Sequence, residues 1–197
     1  MRRYQAVLIA VTAIVVAAIA AFILYGTDRS GGGSALVGGP FTLVDQTGET
    51  RTEKDFAGSY RLIYFGYTFC PDVCPTALQV MSQAMDRLKP ATAEKVVPIL
   101  ITIDPERDTV TQLADYVGNF HPRLVGLTGT PEQIAAAAKA YHVYYGRSKD
   151  DGSAADYLMD HSSVVFLMGP RGEYLTHFTH ATPPDRMADS VANYVGG

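Results

Sequence analysis

Only two of the 197 residues are cysteine, none is tryptophan, and charged side chains amount to 18%. Two cysteines exclude a disulfide-dense mini-scaffold, in which several bridges stand in for a hydrophobic core. A basic excess is lacking as well: 16 Lys and Arg face 20 Asp and Glu. With Arg2, Arg3, Arg29 and Asp28 set aside, 13 basic residues face 19 acidic ones, a balance of −6. A domain of that sign has no electrostatic footprint for a phosphate backbone, which excludes nucleic-acid binding. Long hydrophobic runs occur in one place only, so the chain is not a polytopic membrane protein. A hydrophobic content of 47% in turn excludes a wholly disordered chain.

The one run is Ala6–Tyr25, interrupted only by Thr12 and preceded by Arg2 and Arg3. A helix needs roughly 20 apolar residues to cross a ~30 Å hydrocarbon core, so the run is expected to be a transmembrane anchor. The alternative is a cleaved signal peptide, since Ala18-Ile19-Ala20 resembles a cleavage site. Either way the arginine pair favours keeping residues 1–5 in the cytoplasm, with everything after residue 26 in the periplasm or an equivalent compartment. Residues 26–40, rich in Gly and Ser, read as a flexible linker. Residues 41–197 then form the single folded domain.

Within that domain, Phe41–Asp45 alternates apolar and polar residues and runs into the turn Asp45-Gln-Thr-Gly48, which predicts a hairpin. Arg61–Tyr67 and Val96–Ile103 are nearly continuous apolar runs, as doubly covered central strands would be. Pro75 fits the first position of a helix whose apolar face is Ala77, Leu78, Met81, Ala84, Met85 and Leu88. Further elements are a helix over Thr109–Asn119, a strand over Leu124–Leu127, an Ala-rich helix over Pro131–His142 and an edge strand at Tyr144–Arg147. Lys149–Asp160 reads as a polar excursion. Strands over Ser163–Met168 and Glu173–Phe178 are joined by the turn Gly169-Pro-Arg-Gly172, and Pro184–Tyr194 is an amphipathic helix. The order describes an α/β domain with a mixed sheet. Its closing β–turn–β–α is that of a thioredoxin-like fold with an N-terminal β-hairpin and an extra βα insertion.

Both cysteines lie in Phe69-Cys70-Pro-Asp-Val-Cys74-Pro75, between a central strand and a helix start. Ligands of open α/β sheets bind beyond the carboxyl ends of strands, and a helix N-terminus lowers a thiol pKa. Four residues apart at the entry to a helix, the sulfurs can face one side. They can close a disulfide, structural or redox-active, or converge on one soft ion. A metal site with discrimination needs a third ligand. Of the five histidines, His121 and His142 stand at helix ends, where a histidine caps carbonyls. His177 and His180, three apart beside a strand, are expected on opposite faces. His161, between the excursion and a buried strand, is the candidate that can be aimed at a neighbouring site, and Met159 is read as packing.

The run Tyr64-Phe-Gly-Tyr-Thr-Phe-Cys70-Pro-Asp-Val-Cys74-Pro75, then Ile103-Asp-Pro-Glu-Arg-Asp-Thr109, then Asp160-His161-Ser162 before an apolar strand, resembles the Sco/SenC family, and the match in order and spacing runs from about Gly39 to Val195. The resemblance implies a membrane-anchored, thioredoxin-like copper metallochaperone, not an enzyme, that helps assemble the dinuclear copper A centre of cytochrome c oxidase. It implies Cys70, Cys74 and His161 as ligands of Cu(I) or Cu(II), with Cys70 and Cys74 also able to form a redox disulfide. It further implies an inner-membrane location with the domain in the periplasm. The expected partners are the oxidase subunit carrying the copper A site, a copper donor and a thiol reductant. Asp104 and Asp108 are expected to order their loop through caps and a pair with Arg107; a docking role is the alternative.

The main rival is an extracytoplasmic thiol–disulfide oxidoreductase acting on a partner's cysteines, although the extra residue in C-x-x-x-C departs from the C-x-x-C of thioredoxin-type enzymes. Peroxidases on the same fold are disfavoured. Tyr67 stands where a peroxiredoxin has Thr, and the glutathione peroxidase tetrad needs a tryptophan that this chain lacks.

Overall fold

The computed structural model of the chain describes residues 37–148 and 157–196, together with Tyr4 and Gln5. The predicted anchor Ala6–Tyr25, most of the linker and residues 149–156 of the predicted excursion lie outside the described residues. Among the described residues no helix is long and apolar enough to cross a membrane. The chain divides into two units, Met1–Ser34 and Ala35–Gly197, and among the described residues every strand belongs to the second.

The strands are β1 (Thr42–Asp45), β2 (Thr50–Thr52), β3 (Tyr60–Gly66), β4 (Val96–Thr102), β5 (Val125–Thr128), β6 (Tyr145–Ser148), β7 (Leu158–His161), β8 (Val164–Met168) and β9 (Tyr174–Thr179). The main helices are α1 (Val73–Arg87), α2 (Val110–Val117), α3 (Pro131–Ala140) and α4 (Pro184–Gly196). Seven strands form one mixed sheet in the order β2-β1-β5-β4-β3-β8-β9. At its centre β3, β4 and β5 run parallel, joined by crossovers through α1 and α2, while β8 runs antiparallel to β3. This is the predicted thioredoxin-like arrangement with its hairpin and βα addition.

The continuous apolar character of β3 and β4 follows from their place. From Arg61 to Gly66 every β3 residue is buried, because both faces of the sheet are covered. Pro98 precedes Ile99–Ile101, the part of β4 paired with β5, and so sits outside the doubly paired segment. Helix α1 packs against α4 and buries Ala77, Leu78, Met81, Ala84 and Met85, the i, i+3, i+4 face expected from its spacing. Thr130 and Gln133 form a reciprocal capping box at α3, with Pro131 at the first helical position.

Three local expectations are corrected. Helix α1 begins at Val73, two residues before Pro75; Thr76 already donates to the Asp72 carbonyl, and the missing N–H of Pro75 falls in the first turn, where no partner exists anyway. The strand expected at the sheet edge near Tyr144–Arg147 does not join the main sheet. It pairs with Leu158–His161, which takes in the last three residues of the expected excursion, as a separate two-stranded hairpin. Polar composition hid that strand, because a hairpin standing clear of the sheet has little apolar surface to bury. His161 therefore ends a strand, opposite Tyr145, instead of sitting in a loop.

Helix α2 lies on β5 where a glycine leaves room for it. A Cβ at Gly126 would come within 2.7 Å of Leu113 Cγ and 2.9 Å of Val117 Cγ1. Gly126→Val is expected to lower stability by about 1–3 kcal/mol through overpacking, read as a shifted urea midpoint at unchanged slope. An unshifted midpoint would mean that α2 is free to lift off the sheet.

Candidate metal centre

The carboxyl ends of β3 and β4 open side by side, at Gly66 and Thr102. From β3 the chain passes through Tyr67–Asp72 into α1, so Cys70 lies in the connecting loop and Cys74 in the first turn of the helix. Cys74 is fully buried and Cys70 is half-buried at the wall of a cleft of about 300 Å³. The Cys74 amide donates to Cys70 Sγ at 3.4 Å, so the sulfur occupies the place of a helix cap.

The third residue arrives from the far part of the chain. Strand β8 is antiparallel to β3, with Tyr64 opposite Val165, so residues just before β8 lie where β3 ends. His161 Nε2 stands 3.4 Å from Cys74 Sγ, and the two sulfurs and one ring nitrogen all lie within 4.8 Å of one another. Among the described residues this is the one His, Cys, Asp or Glu cluster that converges as a metal site would. His161 Nδ1 faces the Ser162 carbonyl at 3.3 Å. A carbonyl oxygen only accepts, so that contact favours a proton on Nδ1 and turns Nε2 toward the sulfurs. The rings of Tyr64 and Tyr67 flank the imidazole edge-on, with centroids 6.0 and 6.1 Å away.

The two thiols are electrostatically unequal. A hydrogen bond from Cys74 pulls the Cys70 pKa down to about 3 against the cost of partial burial, with help from His161 and the Asp72 and Cys74 amides. The same contact with Cys70, together with burial, pushes the Cys74 thiol far up. The pair thus holds one negative charge on Cys70 and one proton on Cys74. The helix N-terminus was expected to lower the thiol pKa, yet its amide contributes less than the neighbouring thiol. Burial, then the nearby Cys74, raises Tyr64, keeping the phenol protonated as it donates to Cys74 Sγ at 3.7 Å.

The remaining candidates fall elsewhere. His121 accepts the Arg123 amide at 3.1 Å instead of capping carbonyls. His142 takes a positive φ of 55° just past α3, with an exposed side chain. His177 stacks on Tyr174, whereas His180 lines the same cleft as Cys70 and His161, a position that strand alternation alone did not show. Met159 is buried in the core, as expected. Arg107 pairs with Asp104 at 2.5 Å, but Asp108 caps nothing. It accepts from the Thr68 amide at 3.0 Å, the Thr68 hydroxyl at 2.7 Å and the Thr102 hydroxyl at 2.6 Å, pinning the loop that leads to Cys70. Thr109 caps α2 instead. Asp104 and Asp108 are both buried, which removes the alternative of a docking role.

Gly66 was missed. A Cβ there would stand 2.7 Å from Tyr64 Cε1 and 3.0 Å from Cys74 Sγ, so the sulfur needs a bare backbone beside it. The signal was a glycine closing an otherwise bulky buried strand.

Known proteins resemble the chain over most of its length. The family described as SCO1/SenC matches residues 29–196. The human protein named SCO1 homolog, mitochondrial, is 45% identical over 164 residues, 83% of this chain and 54% of its own. The chain spans about half the length of the curated relatives it matches. Among solved structures, an Arabidopsis thaliana ScoI with copper bound superposes with a TM-score of 0.77 at 42% identity, covering 81% of this chain and 98% of that one. A Bradyrhizobium japonicum ScoI with copper bound gives 0.73 at 39% identity, covering 80% and 99%.

Two outcomes follow from the unequal thiols and the crowded glycine. In the reduced chain at about pH 5, iodoacetamide is expected to modify Cys70 and leave Cys74 untouched, because a depressed pKa keeps the thiolate until the pH nears that value. Peptide mass spectrometry that found Cys74 labelled first would reverse the assignment. Gly66→Ala is expected to cost about 1–3 kcal/mol in denaturant melts and to turn Cys74 out of its buried position, read as faster alkylation of Cys74.

Proposed function

The chain belongs to the SCO1/SenC family, and on that premise we propose that it is a copper metallochaperone that serves assembly of the copper A centre of cytochrome c oxidase. The observation that carries this reading is the convergence of Cys70, Cys74 and His161 within 4.8 Å. Metal–sulfur bonds near ~2.3 Å and metal–nitrogen bonds near ~2.0 Å put donors around one ion roughly 3.5–4 Å apart, close to the spread observed. Two thiolates and an imidazole form a soft set suited to Cu(I), and with one more donor they also hold Cu(II).

The charge distribution suggests an order of events. Cys70, already a thiolate at the cleft wall, takes the ion first. Cys74 gives up its proton as it becomes the second ligand, so loading releases a proton and weakens in acid. His161 closes the set with Nε2. Transfer runs in reverse, Cys70 letting go last at the exposed side. Closing a Cys70–Cys74 disulfide passes two electrons to an oxidant, releases the one proton held by Cys74 and removes both sulfur donors, so oxidation and copper loading exclude one another.

In this reading Ala6–Tyr25 anchors the chain in the inner membrane with residues 1–5 in the cytoplasm. Residues 26–40 tether the domain in the periplasm within reach of the membrane-bound oxidase subunit. A copper donor and a thiol reductant complete the set of partners. A second reading, a thiol–disulfide oxidoreductase, is favoured by the same asymmetry: an accessible thiolate beside a buried thiol is the layout of an attacking and a resolving cysteine. That reading leaves the imidazole at 3.4 Å from sulfur without a task.

The test loads the full chain in detergent with copper under reducing conditions, dialyses it and measures bound metal. The intact chain is expected to retain one copper. Cys70→Ser, Cys74→Ser and His161→Ala are each expected to lose it while keeping the folded circular dichroism spectrum. A His161→Ala chain holding stoichiometric copper would take His161 out of the site. Efficient reduction of insulin with no copper uptake would favour the oxidoreductase.

A further inference from the structure

We propose that Arg107 is the positioning residue that holds the His161-bearing hairpin against the two-cysteine loop, an inference that rests on the copper reading only for its consequence. Strands β6 and β7 pair with each other and with no strand of the main sheet. A lone two-stranded hairpin is marginal in water, so side chains must fix it. Within β7 the Met159 amide donates to Tyr67 Oη at 3.1 Å. The larger grip lies one residue before the strand, at Tyr157. The guanidinium of Arg107 lies over the Tyr157 ring at 3.8 Å and donates through Nη1 to the Tyr157 carbonyl at 3.1 Å. Its Nε holds Asp104, whose other carboxylate oxygen accepts from Tyr157 Oη at 2.8 Å. The guanidinium also lies over the ring of Phe69, the residue before Cys70, at 4.8 Å.

Arg107 thus touches the element that carries His161 and the loop that carries Cys70 at once. The charge is only 18% exposed, so its stacking is little weakened by water, unlike a surface pair. The planar fork suits this place as a lysine would not, since three aromatic rings, those of Tyr67, Phe69 and Tyr157, and two acceptors need a flat cation with separated donors. Asp108, one residue on, fixes Thr68 from the same loop. Residues Asp104–Asp108 therefore form a strap between the two sources of donor atoms. Outer groups that orient a ligand in this way typically change metal affinity by about 10–100-fold when removed.

The experiment uses the full chain in detergent, with Arg107→Met, Tyr157→Leu and His161→Ala, singly and with Arg107→Met combined with each of the others. Hydrogen exchange is followed on the metal-free chains, and Cu(I) affinity is measured by competition with a chromophoric chelator. Arg107→Met and Tyr157→Leu are each expected to speed exchange across residues 158–161 while leaving β3 and β4 protected, and to weaken Cu(I) binding by about tenfold or more. Together they are expected to add little to either alone. In the His161→Ala background Arg107→Met is expected to have no further effect on affinity, because it acts through that histidine. Unchanged exchange at 158–161 in both variants, or a loss of affinity that persists without His161, would overturn the proposal. If Arg107→Met fails to fold, Tyr157→Leu decides, since Tyr157 lies at the start of a peripheral hairpin. An intact chain that takes up no copper would end the copper reading, and the exchange data would still judge the strap.

Discussion

Strand β8 runs antiparallel to β3 with Tyr64 opposite Val165, so the chain enters β8 at the end of the sheet where β3 leaves it. Everything at the site depends on that pairing. It brings a histidine to within 3.4 Å of a cysteine that precedes it by 87 residues, and it does so with backbone hydrogen bonds in the most buried part of the domain. The burial of both faces of β3 and β4 makes the register hard to slip, because a shift of one residue would exchange the side chains of the two faces and undo the close packing on both. The rigid part of the site is therefore the sheet. The donors hang from its edge on a loop, a helix start and a hairpin.

Those three attachments differ in stiffness, and the difference fits cargo that must enter and leave. Cys74 is set in the first turn of α1 with the hydroxyl of Tyr64 at its sulfur and no room beside Gly66. Cys70 lies in a loop pinned through Thr68 to the buried carboxylate of Asp108. His161 rides on a hairpin outside the main sheet, held by its short links to α3 and β8 and by side chains. A group of donors with one fixed member and one on a detachable arm can bind a soft ion firmly and still open stepwise. The single shared charge of the thiol pair supports the same behaviour, since the accessible sulfur is already ionised and the buried one keeps its proton until a cation displaces it.

Much of this was legible in the residues. The apolar runs of β3 and β4, the helical face of α1 and the turn Gly169–Gly172 were read with nearly their observed bounds, because burial on a sheet or against a helix imposes a period on the sequence. The cysteine pair was legible because two thiols at a strand–helix junction have few structural uses. The β6–β7 hairpin was not. Its strands are short and partnered only with each other, and of their residues only Met159 is buried in the core, so no apolar alternation marks them. His180 was set aside on strand alternation, yet it lies beyond the end of β9 where alternation no longer applies, and it lines the cleft. Arg107 read as half of a local ion pair, since its aromatic contacts come from Phe69 and Tyr157, far from it in the chain.

By itself, then, the sequence determined the element types, the covered strands and the two sulfurs four residues apart, all of which follow from local spacing and from which side chains water rejects. Only the tertiary structure decided that His161 meets the sulfurs, that the Cys70 thiol is shifted down and the Cys74 thiol up, and that Arg107 bridges the two arms of the site. Each of these depends on distances between groups remote along the chain. Such distances are set by strand order and register, which no local pattern of residues encodes.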